Sequence, residues 1–143
     1  MDTDLMERFV LDSGALIQLE RGNGKMIELL AQVIEGTIVV TIPRTVLAEV
    51  WRGGPRQARL AALLKLADAE PANRVVIDEL TRQRAKEIGK KIGSCGHDDI
   101  VDVNVALCGR NPSSGQVDRT IVTADKADLI RVDPELRHAI SVI

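Results

Sequence analysis

Aromatic side chains are almost missing from this chain: one Trp, one Phe and no Tyr. The core must therefore be aliphatic, and base-stacking platforms, which need aromatic faces, are not expected. Cysteine is scarce too, with Cys95 and Cys108 alone. Two thiols cannot make a disulfide framework, and Cys95-Gly-His97 lacks the second ligand pair of a zinc site. The thiols and the absence of a recognisable leader lead to the expectation of a reducing cytoplasm. No apolar run approaches the ~20 residues of a membrane span, so no membrane partner is expected. His97 and His138 are the only histidines, and neither belongs to a Ser-His-Asp arrangement. A P-loop and a glycine-rich dinucleotide fingerprint are likewise missing. A net charge of −2 excludes holding nucleic acid by bulk charge. Basic residues are nevertheless grouped locally, with Arg44 just ahead of Arg52, Arg56 and Arg59.

What remains is an ordinary globular composition, 45% apolar and 28% charged over 143 residues. It predicts one domain spanning 1–143, with an aliphatic core built from Val, Ile, Leu and Ala. Short β-branched runs alternate with helical periodicity. Strands are expected at 8–12, 37–42, 74–77, 119–123 and near 139–142. Helices are expected over 13–20, 25–35, a short stretch with Pro43 in its first turn and Glu49 within it, and after Gly53-Gly54-Pro55 to about 67. Asp78 should cap a helix to about 91. Residues 92–97 should turn, and Asp98 should cap a buried helix over 99–109. Residues 70–73 and 110–118 read as loops, and a helical turn should follow Asp125. This alternation predicts an α/β fold with a mainly parallel sheet between helices. Such sheets bind ligands beyond the carboxyl ends of their strands.

Acids stand at the ends of the apolar runs. Asp12 follows Phe9-Val10-Leu11, Asp125 follows Thr120-Ile121-Val122-Thr123, and Asp99 and Asp102 begin the stretch to Cys108. Asp99 and Asp102 are three apart and share a helix face, near Asn104. Glu49 lies on the short helix. Each has an ordinary explanation taken singly. Asp12 and Asp125 would suit helix caps, Asp98 and Asp99 would favour a helix dipole, and Glu49 and Asp128 would be surface acids. Those explanations must hold together at positions the topology brings to one end of the sheet. Carboxylates gathered against buried segments need neutralising, and a hard divalent cation does so best.

The order Val-Leu-Asp12-Ser-Gly-Ala-Leu, Val-Leu-Ala-Glu49-Val, Asp99-Ile-Val-Asp102-Val-Asn-Val-Ala-Leu and Ile-Val-Thr123-Ala-Asp125 resembles the PIN domain family. Within it the order is most similar to the VapC-type ribonuclease toxins of bacterial toxin–antitoxin pairs. The resemblance covers almost the whole chain. It implies a three-layer PIN-like fold and a metal-dependent endoribonuclease holding Mg²⁺ or Mn²⁺. It maps the family acids onto Asp12, Glu49, Asp99 and Asp125, with the Thr123 hydroxyl near the site. Asp102 is an alternative or auxiliary to Asp99. Asp12 and Asp99 are the expected direct ligands, and all five acids are candidate metal and catalytic groups. Ser13, Thr123, Arg52 and Lys126 are candidate contacts to RNA. The resemblance also implies a small VapB-type antitoxin partner and a homodimer, with contacts among Leu60, Leu63 and Leu64 or along the second helix. The 110–118 loop is longer than the family's usual link. Two other readings stay open: a PIN-like binding module without catalysis, and an acid-cluster phosphoryl-transfer enzyme. Against a haloacid-dehalogenase-type site stands the lack of a second Asp two residues after Asp12.

Overall fold

The computed structural model describes residues 6–69 and 74–143, so the expected 70–73 loop lies outside the described residues. Five strands form one sheet: β1 (Glu7–Leu11), β2 (Ile38–Pro43), β3 (Val75–Asp78), β4 (Thr120–Thr123) and β5 (Ile140–Val142). Their order is β3-β2-β1-β4-β5, and every pairing is parallel. A parallel sheet must bury both faces. β2 does so at each of its six positions, which explains its unbroken Ile-Val-Val-Thr-Ile-Pro run.

Among the described residues seven α-helices cover the sheet: α1 (Ser13–Glu20), α2 (Gly24–Glu35), α3 (Arg44–Val50), α4 (Ala58–Ala67), α5 (Arg82–Cys95), α6 (Ile100–Cys108) and α7 (Lys126–Val132). α1 packs on α2, α3 and α4, while α6 packs on α5, α7 and α3. The α/β architecture is therefore the expected one, with a sheet wholly parallel rather than mainly so. Leu11, Leu16, Leu19, Ile42, Leu60, Leu63, Ile121, Leu129 and Leu136 are fully buried. Each such side chain contributes on the order of 1.5–3 kcal/mol of transfer free energy. Leu60 and Leu63 are thus committed to the core and are closed to a partner.

Several expected boundaries shift, each for a local reason. Pro43 ends β2, paired with Asp78, and precedes α3 instead of opening it. Asp78 does not cap α5. It is the last residue of β3, and the Thr81 hydroxyl caps by accepting from the Arg84 N–H at 3.0 Å. Asp78 accepts instead from Arg84 Nη2 (3.3 Å) and the buried Cys108 thiol (3.3 Å). α5 runs on to Cys95, so the turn expected over 92–97 starts at Gly96, whose φ of 76° lies in the left-handed region. The cap of α6 is Asp99, not Asp98. A 3₁₀ segment, Pro134–His138, was not anticipated.

The 110–118 loop is pinned at its base. Arg110 bonds both oxygens of Asp133 (2.8 and 3.1 Å), Glu135 (2.9 Å) and the Gly115 carbonyl (2.7 Å). Burial alone would raise the Asp133 carboxyl, but the hydrogen bonds and charge of Arg110 outweigh it and hold that carboxyl below its ordinary value. The chain order changes direction at β1, with β2 on one side and β4 on the other. That reversal is a topological switch point, and such folds bind ligands beyond the strand ends there.

Candidate functional site

Asp12 and Asp125 stand at this switch point, each one or two residues beyond its strand. Asp12 caps α1, its Oδ1 accepting from the Ala15 N–H at 2.9 Å. Its other oxygen, Oδ2, accepts from the hydroxyl of Thr123, the last residue of β4. The same hydroxyl oxygen accepts from the Asp125 N–H at 2.9 Å. One buried threonine therefore ties two carboxylate-bearing turns together. Burial raises the Asp12 carboxyl above its ordinary value and the Asp125 charge adds to the rise. Hydrogen bonds from Thr123, Ala15 and Gly14 oppose it.

Gly14 is what lets these turns meet. A Cβ there would lie 2.9 Å from Ala124 Cβ and 3.3 Å from the Ala124 nitrogen. Real Cβ atoms do not approach so closely, so only glycine allows the first turn of α1 to abut the β4–α7 turn.

α3 supplies Glu49, which is exposed and accepts a hydrogen bond from the Ser13 hydroxyl. Ser13 is the residue after Asp12, so Glu49 reaches the same end of the sheet. α3 is fixed from the other side by Asn104, fully buried on α6, which donates to the Thr45 hydroxyl at 2.8 Å. Its carbonyl oxygen has no partner among the described residues.

The α6 acids part company. Asp99 is exposed and caps the helix, accepting from the Asp102 N–H at 3.0 Å. Asp102 is half-buried and meets His97 Nε2 at 2.9 Å. Burial raises its carboxyl, helped by the charges of Asp99 and Asp128 and opposed by His97. Asp128, one turn into α7, has its own carboxyl raised, first by a hydrogen bond with Asp125, then by burial and the Asp125 charge. The acids thus form a connected string from Asp12 through Asp125 and Asp128 to Asp102 and Asp99, with Glu49 alongside. Among the described residues no Lys or Arg forms a salt bridge with Asp12, Glu49, Asp99, Asp102 or Asp125.

His97 and Asp128 are the members that sequence reasoning set aside. The signal for Asp128 was its spacing of three from Asp125 on one helix face. No comparable local signal marked His97, because its approach to Asp102 depends on the turn between α5 and α6.

The basic candidates are less gathered. Lys126 is exposed at the start of α7, while the Arg52 guanidinium folds back onto the Trp51 carbonyl at 2.9 Å. Arg44 is taken by Glu79. Arg56 and Arg59 line a groove of about 870 Å³ with Leu16, Glu20 and Arg21, which none of the acids above enters. Trp51 is 41% exposed, two residues past Glu49, so one aromatic face is on offer where composition led us to expect none. No protein-family model matches this chain, and no curated protein matches it.

Proposed function

We propose that this protein is a divalent-metal-dependent endoribonuclease of the VapC type, hydrolysing RNA phosphodiester bonds at the β1–β4 switch point. The observation that carries this reading is the Thr123 hydroxyl joining Asp12 to the Asp125 turn at the point where strand order reverses. Glu49 and Asp102 converge on the same end of the sheet. The donor set around Asp12 consists of oxygens without a cationic partner, which suits Mg²⁺ or Mn²⁺. Asp12, Asp102 and Asp125 would hold the ion. The half-buried position of Asp102 beside Asp128 supports it over the exposed Asp99 for this task.

Bound there, the ion supplies charge neutralisation at the phosphate and a water of lowered pKa. The chain does the rest. Thr123 fixes the rotamer of Asp12 and so the direction of its Oδ2. Ser13 orients Glu49, whose exposed carboxylate would serve as the general base. Lys126 and Arg52 flank the acids and would hold phosphates on either side of the cut, Arg52 after releasing its own backbone.

A small VapB-type antitoxin and a homodimer belong to the same reading, as does action on RNA in the cytoplasm. α2 leaves Ile27 and Ile34 exposed, which supports that helix as the dimer face. No helix among the described residues is long and apolar enough to cross a membrane. The test is incubation of the purified protein with cellular RNA, with and without EDTA, followed by sequencing of new ends. Discrete cuts that vanish with EDTA and in Asp12→Asn support the reading. Intact RNA at millimolar Mg²⁺ and Mn²⁺ overturns it.

A further inference from the structure

His97, Asp102 and Asp128 come from three different elements: the α5–α6 turn, α6 and α7. One ligand atom from each lies within 4.8 Å of the other two. His97 Nε2 and Asp102 Oδ2 are 2.9 Å apart. Ligand atoms at right angles on an octahedral ion with bonds of about 2.1 Å are about 3 Å apart, and opposed ones about 4.2 Å. The His97–Asp102 pair already has the first spacing. Asp128 offers a third ligand oxygen within 4.8 Å of both. We infer that these residues form a second cation position beside the Asp12 site, with Asp102 common to both, selective for divalent ions that accept nitrogen, such as Mn²⁺ and Zn²⁺, over Mg²⁺.

Two features separate this trio from a chance meeting of surface groups. His97 sits in a turn yet its side chain is only 12% exposed, held inward after Gly96 reverses the chain. The three supporting helices pack on one another, so the ligands do not depend on a free loop. The donor chemistry then sets the preference. Imidazole suits Zn²⁺ and Fe²⁺ best; Mn²⁺ lies at the weak end of that series and still accepts a nitrogen beside carboxylates, whereas Mg²⁺ seeks oxygen and keeps its waters. The inference goes beyond the nuclease reading and holds whether or not RNA is the substrate.

The test is Mn²⁺ titration of the tag-free full chain, followed by pulsed electron paramagnetic resonance for ¹⁴N coupling to the bound ion. We expect two Mn²⁺ per chain and a histidine ¹⁴N signature. His97→Gln should erase that signature and remove one ion, while His138→Gln, which alters the only other histidine, changes neither. Zn²⁺ should displace the nitrogen-coupled Mn²⁺, and Mg²⁺ at the same concentration should not. Because the signature is read on the wild-type protein, a variant that failed to fold would not rescue the idea. Bound Mn²⁺ without ¹⁴N coupling, abolished by Asp12→Asn, overturns this second position and leaves the nuclease reading standing. Coupling that survives His97→Gln also overturns it. No Mn²⁺ binding at all overturns both.

Discussion

Replacing Thr123 by Val keeps shape and burial but deletes the hydroxyl that joins Asp12 to the Asp125 turn. A hydrogen bond to a carboxylate is worth about 1.5–3 kcal/mol, and the released Asp125 N–H, near the surface, adds under about 1 kcal/mol. The expected loss in the metal-free protein is therefore about 2.5 kcal/mol at neutral pH. For a chain of this length that corresponds to a fall in Tm of roughly 5–10 °C. The pH dependence gives a sharper test. The folded Asp12 carboxyl already lies above its ordinary value, so its ionisation works against the fold. That contribution to stability is complete below the unfolded value and is lost as pH rises through the folded one. Thr123 opposes the rise, so removing it pushes the carboxyl further up and increases what is lost. The gap between Thr123→Val and wild type should widen as pH rises from about 3 to 7, whereas Thr123→Ser should track wild type. Urea unfolding in EDTA across that range measures it. A gap below about 0.5 kcal/mol, or one independent of pH, would refute the linkage between the two strand ends.

Three further outcomes follow from the geometry. Gly14→Ala should cost about 1–3 kcal/mol through its contact with Ala124 and weaken Mn²⁺ binding by parting Asp12 from Asp125; calorimetry measures both, and wild-type affinity would dismiss the close approach as unimportant. Arg110→Ala should destabilise by about 2–4 kcal/mol, because it strands the buried Asp133. Since the Asp133 carboxyl is lowered in the fold, its contribution is present above the unfolded value and lost as pH falls through the folded one; the variant's acid limb should be flatter, and an unchanged limb would count against the pair. Asp102→Asn should abolish RNA cleavage while Asp99→Asn only weakens it, and the reverse order would move the ion one turn along α6.

The element order and the sheet were legible because alternation between β-branched runs and helical periodicity survives in an aliphatic chain. The burial of α6 was legible from its apolar circumference. Boundaries failed where two polar residues competed for one cap. Asp98 and Asp99 are both suitable, and so are Asp78 and Thr81; for the latter pair the choice fell to the pairing of Asp78 with Pro43 of β2, which no local window contains. At the site, the acids stood out singly, and capping looked like a rival to convergence. Asp12 and Asp125 do both, one oxygen of each accepting from its helix while the carboxylate also reaches its neighbours. His97 was read as a loop residue because its approach to Asp102 depends on the conformation of the short turn between α5 and α6.

That double duty shapes how the chain can lose its chemistry. Asp12, Asp99 and Asp125 each anchor a helix start with a carboxylate oxygen. An amide oxygen performs that task nearly as well, whereas alanine forfeits roughly 1 kcal/mol at each start. Aspartate becomes asparagine by a single base change, so the shortest genetic route away from catalysis is also one that leaves the fold standing. A silenced descendant of this sequence should therefore carry Asn in place of Asp12 or Asp125 far more often than Ala. Alanine scanning, conversely, would overstate the importance of all three positions by adding a frayed helix to whatever chemistry each one loses.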